Sequence, residues 1–500
     1  MVVPPPGQLC VMDQGPDEDR SPRGLQQCLS PTSLASRLEA DEGIDCYGNE
    51  REALVEQGRF FNNKLLSDVT IVLEGEKFFA HKFVLVRSSQ VFERMFTSKQ
   101  WDSHKEKEVK LVEDPMCVQV FPRFLNFLYS CHIKLNIENT LPMLVLADKY
   151  NVADLRTVCL DFACYYIIPR VQLKDVFHVW FQYATKCYHN QLIKACVETL
   201  ALKMDEVINS AEWDTEWLSL DKDQLTQILA SSCLVVNGEY DLWLSAAKWL
   251  QHQREIKHVS PKQLEILLGQ VLDLIRLPMM TPEELAQLET HALVEQHCNL
   301  FQKKLLHAYK YHALPLQARA RSKEFSGRAC VLRNYTALRW DKRIVIPRLQ
   351  SVNKGSEVGV RFSTRSCSLP TQTWEWELKI HPRGWSGGGG GGAGAISIGG
   401  GGSLAAATAD DNVRMVLHAS AVLEQPRAVY YHLALVDASG SLQHSVCGQK
   451  CFHKARYACD TEMDKKITAS DFLPPPGSNT EPQLLVDGSL LLQISLRPAD

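Results

Sequence analysis

Residues 67–96 read SDVTIVLEGEKFFAHKFVLVRSSQVFERMF, and two periodicities meet within them. Val69, Ile71 and Leu73 alternate with Thr70, Val72 and Glu74, the period of a strand with one buried face. Glu74-Gly75-Glu76-Lys77 supplies a turn, and Phe78 to Ala80 returns as a second short strand. Beyond it Phe83, Val84, Val91, Phe92, Met95 and Phe96 fall three or four apart, which predicts helices with one apolar face.

The residues around this segment bound its setting. A chain of 500 residues suggests about three domains. Its hydrophobic content of 45% and charged content of 22% are those of globular protein. A formal net charge of −4 provides no basic field for nucleic acid or an anionic membrane. No window holds the roughly 18 consecutive apolar residues that a membrane helix needs. The opening MVVPPPGQLCVMDQGPDEDR lacks the basic-then-apolar order of a secretory signal. The 16 cysteines are spread over the whole length, so they read as reduced thiols and the expected compartment is cytoplasmic or nuclear.

The order of residues in 67–96 resembles the opening of a BTB (POZ) domain: Asp68-Val69, then Ala80-His81-Lys82, then Ser89, Phe92, Met95 and Phe96. FLNFLYSCHIKL and ADKYNVADLRTVCLDF continue the likeness, so a BTB dimerisation domain of α+β class is expected over 45–166. A helix from Asn49 to Asn63 leads into it, and in that family such a helix can swap against the partner protomer. Residues 1–44, rich in Pro, Gly, Ser, Asp and Gln, are expected as a disordered leader.

Residues 167–312 are expected to be entirely helical. Val176, Trp180, Ala184 and Cys187 form one apolar row, and Leu192, Cys196, Leu200 and Met204 another. The segment from Leu220 to Leu250 and the turn Ile275-Arg276-Leu277-Pro278-Met279 resemble the all-α BACK domain of kelch-like adaptors. Thr281-Pro282-Glu283-Glu284 opens a helix with a cap and a first-turn proline. Residues 313–324 are expected as a linker.

Residues 325–500 show no repeat of about 50 residues with paired glycines, so no kelch propeller is expected. Trp374, Trp376, Leu378 and Ile380 alternate with charged residues, and Val416, His418 and Ser420, then Val429, Tyr431, Leu433 and Leu435, continue the pattern. Asp487-Gly488 separates two apolar runs as a hairpin turn. These features predict an all-β antiparallel sandwich, interrupted by a Gly-rich surface loop at 386–402. The order BTB, BACK, sandwich resembles a small subgroup of BTB proteins with a TRAF-like or MATH-like C-terminal domain.

No sequence constellation requires catalysis. GxSxG, HExxH and kinase-like runs are absent, and the glycine run lacks the Lys-Ser/Thr of a phosphate-binding loop. His444, Cys447, Cys451, His453 and Cys459 form the densest metal-like group, but only Cys447 and Cys451 match a familiar zinc half-site. No enzyme activity, metal or cofactor is therefore expected.

The resemblance points instead to binding. It implies a homodimer with Asp68, His81 and Lys82 at the dimer groove, although His81 taken alone reads as a satisfied core histidine. It implies a cullin-3 surface at Phe92, Met95, Phe96, Trp101 and Asp102, with Ser103 standing where the family places a glutamate. The expected function is a cullin-3 ubiquitin-ligase adaptor whose sandwich selects a client protein for ubiquitination. The rival is a dimeric scaffold or transcription-linked interaction protein that never meets a cullin.

Overall fold

The computed structural model describes residues 48–98, 107–347, 356–365, 373–381, 414–419, 426–453, 458–462, 484–486 and 488–499. The leader 1–44, Trp101, Asp102 and the Gly-rich segment 386–402 lie outside the described residues. The chain divides into two compact units, one ending at Phe162 and the other beginning at Ala163. No described helix is long and apolar enough to cross a membrane.

In the first unit β1 (Val69–Leu73) pairs antiparallel with β2 (Glu76–Ala80) and parallel with β3 (Glu108–Leu111). Val69, Ile71 and Leu73 are buried as their alternation requires. The turn is tighter than the four residues expected. Glu74 and Gly75 alone make it, both at positive φ (51° and 89°), which twists the hairpin the way paired strands twist. Helices Glu50–Gly58, Lys82–Ser88, Gln90–Thr97, Pro115–Val118, Phe121–Ser130, Ile137–Lys149 and Ala153–Phe162 surround the sheet in sequence. Phe83 departs from the expected apolar face: it is 77% exposed, while its neighbours Val84 and Leu85 fill the core.

The second unit begins with helices whose apolar rows follow the sequence pattern. Leu192, Cys196, Leu200, Met204, Leu225, Leu242, Ala246 and Leu250 are fully buried, and Trp249 is buried beside them. Cys187 is the exception, exposed at the end of its helix. Thr281 and Glu284 close a reciprocal cap, with Glu284 N donating to Thr281 Oγ1 at 3.2 Å and Thr281 N to Glu284 Oε2 at 2.7 Å. The segment is not entirely helical, because β4 (Val235–Val236) interrupts it and pairs parallel with β5 (Asn334–Tyr335). A two-residue strand with a distant partner carries no period from which sequence could reveal it. Within 313–324 lies a helix, Leu316–Arg321, packed on the C-terminal strands.

Two antiparallel sheets follow. One joins β11 (Leu442–Phe452), β10 (Arg427–Val436), β14 (Ser489–Pro498) and β13 (Leu485–Val486), with β6 (Asp341–Ile346) also on β14. The other joins β12 (Ala458–Glu462), β9 (Arg414–Ala419), β8 (Thr373–His381) and β7 (Val358–Arg365). Trp374, Trp376, Leu378 and Ile380 of β8 share one core with Val429, Tyr431, Leu433 and Leu435 of β10. The facing alternation is what makes the pair of sheets a sandwich. Trp376 turns its indole Nε1–H to Thr364 Oγ1 at 2.9 Å, so the buried donor is satisfied.

Candidate interaction surfaces

In the first unit the β1–β2 hairpin positions three candidate residues. Asp68 Oδ1 accepts from the backbone N–H of Lys82 at 2.8 Å, fixing the start of helix Lys82–Ser88. His81 is held at both ring nitrogens, Nε2 by the Leu65 carbonyl at 2.8 Å and Nδ1 by the Tyr129 hydroxyl at 2.9 Å. A carbonyl only accepts, so Nε2 carries the hydrogen and Tyr129 donates to Nδ1. The same hydroxyl accepts from His81 N at 3.0 Å. Burial, offset in part by that backbone bond, pushes the Tyr129 phenol up to about 12. His81 thus welds the segment before β1 to the helical core. Lys82 Nζ lies 5.3 Å from the centroid of Phe96, a cation–π contact rather than a free charge.

Phe92, Met95 and Phe96 point into the unit. Each is buried, and Phe92 stacks on Tyr150 at 4.8 Å between centroids. In this conformation they hold their helix in place and do not themselves present a contact surface. Ser89 caps the helix at Phe92 N (3.2 Å) and donates to the Tyr150 carbonyl at 2.6 Å. The Tyr150 hydroxyl in turn donates to buried Glu113 at 2.5 Å. Exposed apolar side chains lie elsewhere: Val55, Phe60, Leu65, Leu66 and Phe83 near the hairpin, and Val112, Met116, Ile137 and Val158 further along the unit. Gln57 accepts from Arg87 at 3.1 Å, so helix Glu50–Gly58 and the residues after it lie beside helix Lys82–Ser88. Leu66 is 80% exposed and adopts φ 60°, a costly conformation for a leucine.

In the second unit a buried ion cluster joins the helices to the sheets. Glu239 opens helix Glu239–Glu255 and is 0% exposed. Its Oε1 accepts from Arg333 Nε at 2.6 Å and from the Tyr335 hydroxyl at 2.7 Å, and its Oε2 accepts from Arg276 N at 3.0 Å. Arg333 also donates to the carbonyls of Leu229 (2.9 Å), Ser231 and Leu274 (2.7 Å). Arg276 donates to the Val331 carbonyl at 2.7 Å and to Ser232 Oγ at 2.6 Å. Burial pushes the Glu239 carboxyl up, but the charges of Arg333 and Arg276 and the bonds from Arg276 N and Tyr335 outweigh it and hold it below the usual range. Burial, with the carboxylate beside it, raises the Tyr335 phenol. The segment bearing Arg333 continues straight into the sandwich, where Leu332 N donates to Gln493 Oε1 at 2.7 Å and Gln493 Nε2 donates to the Cys330 carbonyl at 3.0 Å.

Among the described residues the metal-like group is not brought together. Cys447 and Cys451 lie on one strand, about 13 Å apart at ~3.3 Å per residue. Among the described residues no three of His444, Cys447, Cys451 and His453 bring ligand atoms within 4.8 Å of one another, and the Cys459 side chain lies outside the described residues. Burial pushes the thiols of Cys117 up to about 11 and of Cys159 and Cys330 up to about 12, the opposite of what a nucleophile needs.

Comparison with known families places this geometry. The BTB/POZ domain family matches residues 58–167, and the BACK family (BTB And C-terminal Kelch) matches residues 177–289. The chain carries a BTB domain followed by a BACK domain. It is 28% identical over 274 residues to mouse BTB/POZ domain-containing protein 17, covering 55% of this chain and 53% of that protein. Against the Xenopus laevis protein of the same name it is 24% identical over 329 residues, covering 63% and 66%. Human Kelch-like protein 3 is 26% identical over 265 residues, covering 52% of this chain and 41% of that protein. The chain is thus a distant homologue of BTB/POZ domain-containing protein 17 and of kelch-like proteins, and its matches span between about half and two thirds of the former.

Sequence reasoning found the BACK turn around Arg276 but not the role of its side chain. Glu239 looks like a favourable charge at a helix start. Only its buried partner, 94 residues onward, shows otherwise.

Arg333→Met removes the countercharge and leaves Glu239 buried without it. The expected cost is about 3–5 kcal/mol, read as a lower urea midpoint of the full chain. The pH dependence supplies a second readout. Because the native Glu239 carboxyl lies below its unfolded value, its contribution is complete above the ordinary glutamate range and is lost as pH falls through the native value. The stability gap between wild type and Arg333→Met is therefore widest near neutral pH and narrows as pH falls through the native Glu239 value; a gap that does not change with pH would contradict the cluster's role.

Proposed function

We propose that the chain is a dimeric protein-interaction adaptor, and specifically the substrate-recognition subunit of a cullin-3 RING ubiquitin ligase. The observation that carries the reading is the attachment of the C-terminal sheets to the BACK helices through Glu239 and Arg333. In an adaptor without catalytic residues the mechanism is proximity: a client held in a fixed orientation is presented at high effective concentration to the ligase. A sandwich fixed on the BACK domain by a buried, multiply bonded ion pair suits that task better than one on a flexible tether. The two facing antiparallel sheets support a TRAF-like or MATH-like client domain, and the BTB domain supplies the dimer and the cullin surface. Phe92, Met95 and Phe96, being buried, support that surface, and Trp101 is its apolar anchor.

The dimer surface follows from the exposed apolar residues beside the β1–β2 hairpin. Leu66→Asp combined with Phe83→Asp changes side chains already facing solvent, so the fold is retained while the dimer is lost. Sedimentation velocity is expected to show a monomer. A dimer of unchanged stability would place the interface elsewhere.

Cullin binding is tested by calorimetry of the full chain against the cullin-3 N-terminal domain, with Trp101→Ala alongside. Stoichiometric binding is expected, weakened at least about tenfold by the substitution, as for an aromatic hot spot. No binding at tens of micromolar by a confirmed dimer would remove the cullin assignment and leave a dimeric scaffold. Ser103, in place of the family glutamate, is the sequence feature that favours that second reading.

A further inference from the structure

A cavity of 330 Å³ opens between helix Leu316–Arg321, the residues after it, and strands β10 and β11. Its lining includes Arg319, Arg321, Lys323, His432 and His444 and contains no carboxylate. Arg321, Lys323 and His444 are exposed at its rim. Arg319 differs from them, being only 7% exposed. One face of its guanidinium lies over the Tyr311 ring, 4.4 Å from the centroid. Its Nε–H has no hydrogen-bond acceptor among the described residues, and neither has His432 Nε2 a partner.

Buried guanidinium groups ordinarily carry an acceptor, because an unpaired buried donor loses its water without replacement. Of the neighbouring carboxylates, Glu324 pairs with Lys310 and Asp341 pairs through Oδ2 with Arg497 at 3.1 Å, its Oδ1 having no hydrogen-bond partner among the described residues. Burial and the adjacent Arg319 charge push the His432 imidazole down to about 4, so at neutral pH the ring is uncharged and offers one N–H. The backbone is also shaped here. Between the Leu433↔Val446 and Leu435↔Gln443 pairs, β11 holds one residue more than β10, and His444 lies in that bulge at φ 45°. Bulges at sheet edges re-aim side chains and recur beside binding sites.

We propose that this cavity is an oxyanion-binding subsite that takes the carboxylate or phosphate group of an acidic peptide from a partner protein. Arg319 is the buried donor, and Arg321 and Lys323 draw the anion to the mouth. A peptide fits the surroundings because β11 ends its sheet among the described residues and, beyond Leu442, whose N–H already donates to the Ser326 carbonyl at 2.7 Å, an edge strand can accept an extended segment along its backbone. A planar guanidinium suits the paired oxygens of either group. The site stands whether or not the chain meets a cullin, since its test reads anion recognition by the full chain with no cullin present.

The full chain is titrated by fluorescence anisotropy with three labelled peptides of one sequence frame, bearing glutamates, a phosphoserine, or glutamines. The glutamate or phosphoserine peptide is expected to bind at least about tenfold more tightly than the glutamine peptide, a difference of about 1.4 kcal/mol. Inorganic phosphate is expected to displace it. Preference between the first two distinguishes the carboxylate source from the phosphate source. Arg319→Gln is expected to abolish that discrimination with an unchanged circular dichroism spectrum, and Arg319→Lys to weaken it, since the charge stays but the fork is lost. Should Arg319→Gln fail to fold, Arg321→Gln with Lys323→Gln, both exposed, carries the same test and is expected to weaken binding several-fold. Absence of binding by every probe, equal binding of all three peptides, or discrimination unchanged in these variants would overturn the proposal.

Discussion

The C-terminal half of this protein depends on one carboxylate with no access to water. Glu239 is fully buried at the start of a helix, and burial alone would drive it to the neutral form. The charges of Arg333 and Arg276, with the bonds from the Arg276 amide and the Tyr335 hydroxyl, reverse that, and both arginines are themselves fixed by further bonds to backbone or side-chain oxygens. A buried ion pair is often no more stabilising than a packed apolar pair. Its effect here is specificity. The fork of Arg333 reaches Leu229, Ser231 and Leu274 at once, so the segment it sits on can occupy only one position against the helices.

That constraint reaches the sandwich through very little chain. Beyond Arg333, β5 pairs with β4, and Arg343 on β6 donates to the Ser232 carbonyl at 2.7 Å. Gln493 from β14 accepts from Leu332 N and donates to the Cys330 carbonyl. The helices and the sheets are therefore one folded body, consistent with their forming a single compact unit from Ala163 onward. The cavity at Arg319 lies in that same body, formed where the last helix of the α segment meets the edge of the sheet.

Much of this was legible in the sequence because it is periodic. The alternation at 69–73 and 374–380 and the helical rows through Leu192 and Leu242 follow from one-sided burial, which repeats along the chain and leaves a pattern. The Arg276 turn was legible as a family motif. What remained hidden was non-local and irregular. Phe83 sits on a helical period yet faces out, because its short helix buries only Val84 and Leu85. Glu239 and Arg333, or Arg319 and His432, are single residues joined across long separations, and nothing in their local sequence announces a partner. The motif singles out Phe92, Met95 and Phe96, which the structure buries, and a motif does not distinguish a residue that touches a partner from one that packs inside its own unit.

The most direct measurement is native-state hydrogen exchange at the junction. Asn334 N donates to Leu234 O at 3.1 Å, Thr336 N to Val236 O at 2.9 Å, and Leu332 N to the Gln493 side chain. If the BACK helices and the sandwich are one body, these amides exchange only with global opening, at the same free energy as Leu242–Leu250 and Val429–Leu435. If they exchange orders of magnitude faster while both cores stay protected, the two parts are hinged, and the account of a client domain fixed on the BACK domain is wrong.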